Sequence, residues 1–323
     1  MGGTLITIIR FLTKRGLAMI PIGPKTNIGV IKRSGFANGL FGIGAYRVIY
    51  ECLKYHKLKI KKAIAISSSS FSIMLESIEK FDEILHVWLK LTTKDIYEIP
   101  YVQALRHPLK RPSIFSSEPL RRYVTRFIKP HLDEIFSERA LPFEIVTTDL
   151  DTGNAIYFSN QDIKNKPRAV DICMASAALI PFFPPVIIEK DGKEFLLADG
   201  APSNDMPIKR LLDVGCELIF IIDVFGGELN FSTDRSSLAW PDLLTRATQI
   251  SISQHSDLRL NLGEMMNSSS PAKFIPIWIK PEIPLEHINF RCFDQDIKDN
   301  LVEAGYWAAK VAVRKLHLDC NSI

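Results

Sequence analysis

The stretch Ala63-Ile64-Ala65-Ile66-Ser67-Ser68-Ser69-Ser70-Phe71-Ser72-Ile73-Met74 decides the fold. Its first four residues are all apolar, the pattern of a parallel strand buried on both faces. The strand runs into serines, and the serines run directly into an amphipathic helix. A strand that turns straight into a helix is one unit of an α/β sheet. Such a turn can also act as a nucleophile elbow, exposing a serine hydroxyl at a helix N-terminus where developing negative charge is favoured. Ser68, framed by Ile66 and Ser70, is the candidate nucleophile. The plainer reading is a serine-rich N-cap, common at helix starts.

Working outward, Ile28-Gly29-Val30-Ile31 reads as the first strand of the same sheet, followed by an apolar-periodic helix over residues 40–55. Helical patterns fill residues 70–90, 119–127, 241–266 and 296–316. Further strands are expected at 143–148, 195–198 and 218–222, with 155–158 as a hairpin partner across the Asp151-Thr152-Gly153-Asn154 turn. The sum is a three-layer α/β/α fold around a central, mostly parallel sheet. Residues 28–323 read as one domain. Residues 1–27 read as an N-terminal arm, with an interfacial helix as the second option because Leu5, Ile8, Ile9 and Leu12 can share a helical face.

Two other places are suited to chemistry. Ala198-Asp199-Gly200-Ala201 puts a carboxylate at the end of an apolar strand, where open parallel sheets build their sites; alone, Asp-Gly after a strand is usually a turn. Gly35-Phe36-Ala37-Asn38-Gly39 joins the first strand to its helix, and its backbone N–H groups could form an oxyanion hole or hold a phosphate. A strand-to-helix loop also needs glycine for purely conformational reasons.

Order along the chain links these signals. Ser34-Gly35-Phe36-Ala37-Asn38-Gly39, then Ile66-Ser67-Ser68-Ser69-Ser70, then Asp199-Gly200-Ala201 resembles the patatin-like phospholipase family. That family shows, in the same order, a Gly-rich oxyanion loop, a G-x-S-x-G elbow and a D-G-G/A motif. The segment from Ala175-Ser176-Ala177-Ala178 through Pro181-Phe182-Phe183-Pro184-Pro185 is the most specific match, and Asn204-Asp205-Met206-Pro207, Thr147–Gly153 and Glu303-Ala304-Gly305-Tyr306 also fit. The resemblance implies a Ser–Asp dyad without histidine, metal or cofactor. Asp199 would accept the proton of Ser68, an acyl-enzyme would form, and the N–H groups of Gly35 and Phe36 would face the oxyanion. It also implies phospholipid or lysophospholipid substrates and, for effector-type members, an activating protein partner.

The pattern is altered at named positions. Ser34 and Phe36 replace two of the leading glycines, Asn38 replaces the arginine, and Ile66 and Ser70 replace the glycines flanking the nucleophile, while Gly39 and Gly200 are kept. A catalytically impaired relative acting by lipid or protein binding is therefore the alternative. An acyltransferase is a third reading, disfavoured because it normally pairs its serine with a histidine and none of the seven here lies in a motif.

Composition bounds the remainder. The 323 residues are 46% hydrophobic, ample for a core, and the net charge of +4 is too weak for nucleic acid but compatible with visiting an anionic membrane surface. Lys54–Lys62 and Arg121–Arg126 are basic runs, more simply read as solvated faces. Five scattered cysteines without CxxC spacing suggest reduced thiols in a cytosol-like compartment, with peripheral membrane contact or delivery as a secreted effector as further expectations. No run reaches the ~18 apolar residues of a spanning helix.

Overall fold

The computed structural model describes residues 7–13, 16–98, 112–224, 274–281 and 295–318, with helical residues at 247, 250 and 251. The expected helix over 241–266 thus lies almost wholly outside the described residues. Part of the segment considered as an interfacial helix is instead extended: β1 (Thr7–Thr13) pairs antiparallel with β2 (Gly16–Ile22), apart from the main sheet. β-branched Thr7, Ile8, Ile9 and Thr13 favour extended backbone over helix.

The main sheet comprises β3 (Ile28–Ser34), β4 (Ile60–Ser67), β5 (Phe143–Asp149), β6 (Ala155–Ser159), β7 (Val186–Lys190), β8 (Lys193–Asp199), β9 (Leu218–Asp223) and β10 (Ile275–Ile279). Hydrogen bonding runs β10-β9-β3-β4-β5-β8-β7, with β6 also on β5. The pairs from β10 to β5 are parallel; β6, β7 and β8 pair antiparallel. Alternate residues enter two separate cores: Val30, Ala63, Ala65, Ile145 and Phe220 in one, Ile31, Ile64, Ile66, Val146 and Ile221 in the other. Burial of both faces is why these strands carry unbroken apolar runs such as Ala63–Ile66 and Leu218–Ile222.

The larger core is covered by α1 (Gly39–Tyr55), α2 (Ser69–Glu76), α3 (Phe81–Lys90), α4 (Glu118–Ile128), α5 (Ala169–Ser176) and, after α6 (Ile208–Leu212) on the opposite face, α7 (Gln295–Lys315). The helical stretch expected from residue 70 to 90 is broken between α2 and α3. Glu79 takes a left-handed φ of +62°, and Lys80 N–H closes the end of α2 onto Leu75 O at 3.0 Å. Helices α1 and α7 meet backbone to backbone: a Cβ on Gly44 would overlap the Val302 carbonyl, and one on Gly305 the Phe41 carbonyl. The expectation of five reduced thiols fails at Cys52 in α1, which is disulfide-bonded, whereas Cys173 and Cys216 are free and buried.

One junction positions the site. β6 runs along Glu144–Thr148 of β5, so β4 and β8 must share the other edge. There β4 pairs as far as Ile66 opposite Val146, and β8 arrives from the opposite direction with Asp199 opposite Thr147. The two strands meet end to end on β5, bringing the serine turn against Asp199.

Candidate active site

β3 and β4 are adjacent and parallel, with Ser34 opposite Ser67, so the loops that follow them emerge side by side at the C-terminal edge of the sheet. After β3, Phe36–Asn38 forms a 3-10 turn closed by Asn38 N–H to Gly35 O at 3.1 Å, and Gly39 begins α1. A non-glycine residue enters such a turn without strain, so Phe36 does not disturb the loop backbone. Gly39 is required by packing, because a Cβ there would enter the Trp88 ring.

The serines divide sharply. Ser67, the last residue of β4, has φ +59°, the left-handed backbone that an elbow nucleophile adopts where strand turns to helix. Ser68 is already αR at the N-cap of α2; it is buried, with its hydroxyl 2.9 Å from Ser34 Oγ. Ser34 Oγ is also 2.8 Å from Ser69 Oγ, which reaches Lys32 O and Ile66 O, each at 3.0 Å. Ser70 is buried in α2 with its hydroxyl on Cys173 O. The serine hydroxyl that acts on the Asp199 carboxyl, holding its pKa down, is that of Ser67.

Ser68, expected to face Asp199, has its hydroxyl on Ser34 instead, and Ser67 occupies the left-handed strand end. Moving the elbow frame back one residue puts Ala65 and Ser69, both small, where the flanking glycines were sought. Ile66, read as a crowded flank, becomes an ordinary core residue of β4, facing away into the smaller core. The small Ala65 two positions before Ser67 was the signal available in the sequence.

Asp199 is held on every side. Its N–H donates to Ala178 O at 3.0 Å, and its carbonyl accepts from Thr148 Oγ1 at 2.6 Å. Carboxylate Oδ1 accepts Ala201 N–H at 2.9 Å. Gly200 lets the chain turn against β5, where any Cβ would overlap the Val146 carbonyl. Burial is the main influence on the carboxyl, raising it from 3.8 to about 6; the bonds from Ala201 and Ser67 oppose the rise, and the nearby Asp205 charge adds to it. Asp205 itself is fully buried, 2.7 Å from Arg33, whose other amino group lies 3.1 Å from Asp223. Beneath α2, Lys32 reaches Glu76 and Ser72; burial pushes the Lys32 ammonium down and the Glu76 carboxyl up.

Sequence reading singled out the loop, the serine turn and the aspartate, and the fold brings all three to one end of the sheet. It did not single out Ser67, nor Thr148 and Ser176, which hold the Asp199 carbonyl and the Ser67 N–H. Among solved structures, the chain is similar to VipD from Legionella pneumophila at 13% identity, covering 98% of this chain and 71% of that one with a TM-score of 0.43. It is also similar to the type III effector protein ExoU at 12% identity, covering 92% of this chain and 54% of that one with a TM-score of 0.41. No curated protein matches. The model of the patatin-like phospholipase family matches residues 33–212, more than half of the chain's 323 residues, and the chain belongs to that family of lipid acyl hydrolases.

Proposed function

We propose that the chain hydrolyses acyl esters of phospholipids or lysophospholipids, with Ser67 as nucleophile and Asp199 as general base. The observation that carries this reading is the left-handed strand end at Ser67, which β4 and β8, meeting on β5, bring beside Asp199, whose carboxyl the Ser67 hydroxyl holds down. As the Ser67 Oγ–C bond forms, the hydroxyl proton passes to Asp199. The carbonyl electrons move onto oxygen, opposite the N–H groups of Gly35 and Phe36 and that of Ser68 at the N-cap of α2. Collapse breaks the ester C–O bond, and the proton on Asp199 goes to the departing alkoxide. Water, deprotonated by Asp199, then releases the fatty acid and regenerates Ser67.

A carboxyl raised to about 6 is ionised at neutral pH yet basic enough to accept a proton. The small Ala65 and Ser69 at the elbow flanks, in place of the family's glycines, support catalysis over a purely binding role. The lipid class is carried by family membership; peripheral membrane contact, an activating protein partner and delivery as an effector belong to the same proposal. So does a single domain over 28–323, supported by β10 and β3 lying on either side of β9 in one sheet.

The test is intact mass after treatment with a fluorophosphonate, with and without phospholipid vesicles, on wild type, Ser67→Ala, Ser68→Ala and Asp199→Asn. A single adduct, absent in Ser67→Ala and Asp199→Asn and retained in Ser68→Ala, is the expected result. Retention in Ser67→Ala with loss in Ser68→Ala would return the role to Ser68. Folded wild-type protein that never labels would favour the binding role.

A further inference from the structure

A parallel ladder advances two residues per rung. Between β4 and β5, Ala63 N–H donates to Pro142 O at 3.0 Å, with Ala63 opposite Phe143 and Ala65 opposite Ile145. Continued by the same step, the ladder would bring the Ser67 N–H onto Val146 O. Ser67 N–H donates instead to Ser176 Oγ at 3.1 Å, and the Ser176 hydroxyl donates onward to Val146 O at 2.7 Å. A wholly buried hydroxyl at the last residue of α5 is spliced into the final rung.

The splice has two geometric effects. It moves the end of β4 off β5 by the width of one hydroxyl, at the point where β8 arrives on the same edge. It also anchors the backbone nitrogen of Ser67 at its left-handed φ. Two residues further along, the Ala178 carbonyl takes the Asp199 N–H. The stretch Ser176–Ala178 therefore holds the main-chain N–H of both Ser67 and Asp199. α5 is in turn locked to α2, with Ser70 Oγ on Cys173 O at 3.3 Å and Cys173 Sγ on Ser70 O at 3.4 Å.

We propose that Ser176 is a positioning residue for the hydrolysis, its hydroxyl replacing the last β4–β5 rung so that Ser67 is held within reach of Asp199. The inference rests on the Ser67–Asp199 reading above. Ser176 touches no reacting atom and acts only through the Ser67 backbone. Without the hydroxyl, Ser67 N–H and Val146 O either close into a direct rung, drawing Ser67 toward β5, or remain unpaired in the core; both displace the nucleophile.

The experiment measures the fluorophosphonate labelling rate of the full chain from pH 5 to 9 for wild type, Ser176→Ala and Ser176→Thr, alongside thermal midpoints. The expected result is a rate about 10–100-fold lower for folded Ser176→Ala, since small misplacements of reacting groups cost about that much. Its acid limb should also move to higher pH, because the displaced Ser67 hydroxyl no longer holds the Asp199 carboxyl down. Ser176→Thr, which keeps a hydroxyl, should recover most of the rate; if its methyl prevents folding, the Ser176→Ala acid limb decides alone. Labelling of Ser176→Ala within threefold of wild type, or a loss matching only the unfolded fraction with an unmoved acid limb, would overturn the proposal. Failure of folded wild-type protein to label would overturn the Ser67–Asp199 reading and this inference together.

Discussion

Four consecutive serines are chemically alike, and backbone conformation alone separates them. Ser67 at φ +59° occupies a region that costs a non-glycine residue of order 1–3 kcal/mol, held here by the Ser176 hydroxyl on its N–H. Asp199 carries a second cost. Its carboxyl stands at 3.8 when unfolded and about 6 when folded, so the folded state binds its proton more tightly. The associated stability is complete below about 4 and is lost as pH rises through about 6. The two-unit shift corresponds to roughly 2–3 kcal/mol. The stability advantage of Asp199→Asn over wild type should therefore grow between pH 4 and pH 6.5, followed by urea unfolding, while hydrolysis by wild type rises over the same limb. An advantage independent of pH would mean that Asp199 titrates normally.

At the scale of elements, the α1–α7 crossing is the most exacting contact. Gly44 and Gly305 let two backbones touch, so a single methyl has nowhere to go except by parting the helices. Gly305→Ala should lower stability by about 1–3 kcal/mol, the usual cost of overpacking, despite alanine's better helix propensity. A thermal melt checks the sign: stabilisation would mean that the crossing is loose. Gly305 was visible in the sequence only as part of a motif; what it touches, the Phe41 carbonyl, lies in a helix at the other end of the chain. The break at Glu79 between α2 and α3 was likewise illegible, since apolar spacing continues across it and a glutamate does not advertise a left-handed turn.

For the molecule as a whole, Arg33 draws separate parts of the chain together. Buried at the end of β3, it faces Asp205 beyond β8 and Asp223 at the end of β9. Arg33→Gln would leave two carboxylates underground with less compensation, at a cost of about 3–5 kcal/mol. With Asp205 no longer neutralised, the Asp199 carboxyl should rise further, shifting the acid limb of labelling upward. Chemical denaturation and the labelling–pH profile measure the two effects; wild-type values in both would make the cluster incidental.

By itself, the sequence determined the α/β class, the parallel core strands and the three segments that form the site. Each of these leaves a local trace: unbroken apolar runs where both sheet faces are covered, serines at a strand-to-helix turn, and Asp-Gly after a strand. Tertiary structure alone decided how the serine turn lies against Asp199, that β1 and β2 pair as strands, and that Cys52 is disulfide-bonded. The first depends on β4 and β8 meeting end to end on one edge of β5, and on a hydroxyl from α5 entering the last rung between them. Hydrogen-bond register between strands distant in sequence is set by where backbones pack, and no side chain in the run Ser67–Ser70 encodes it.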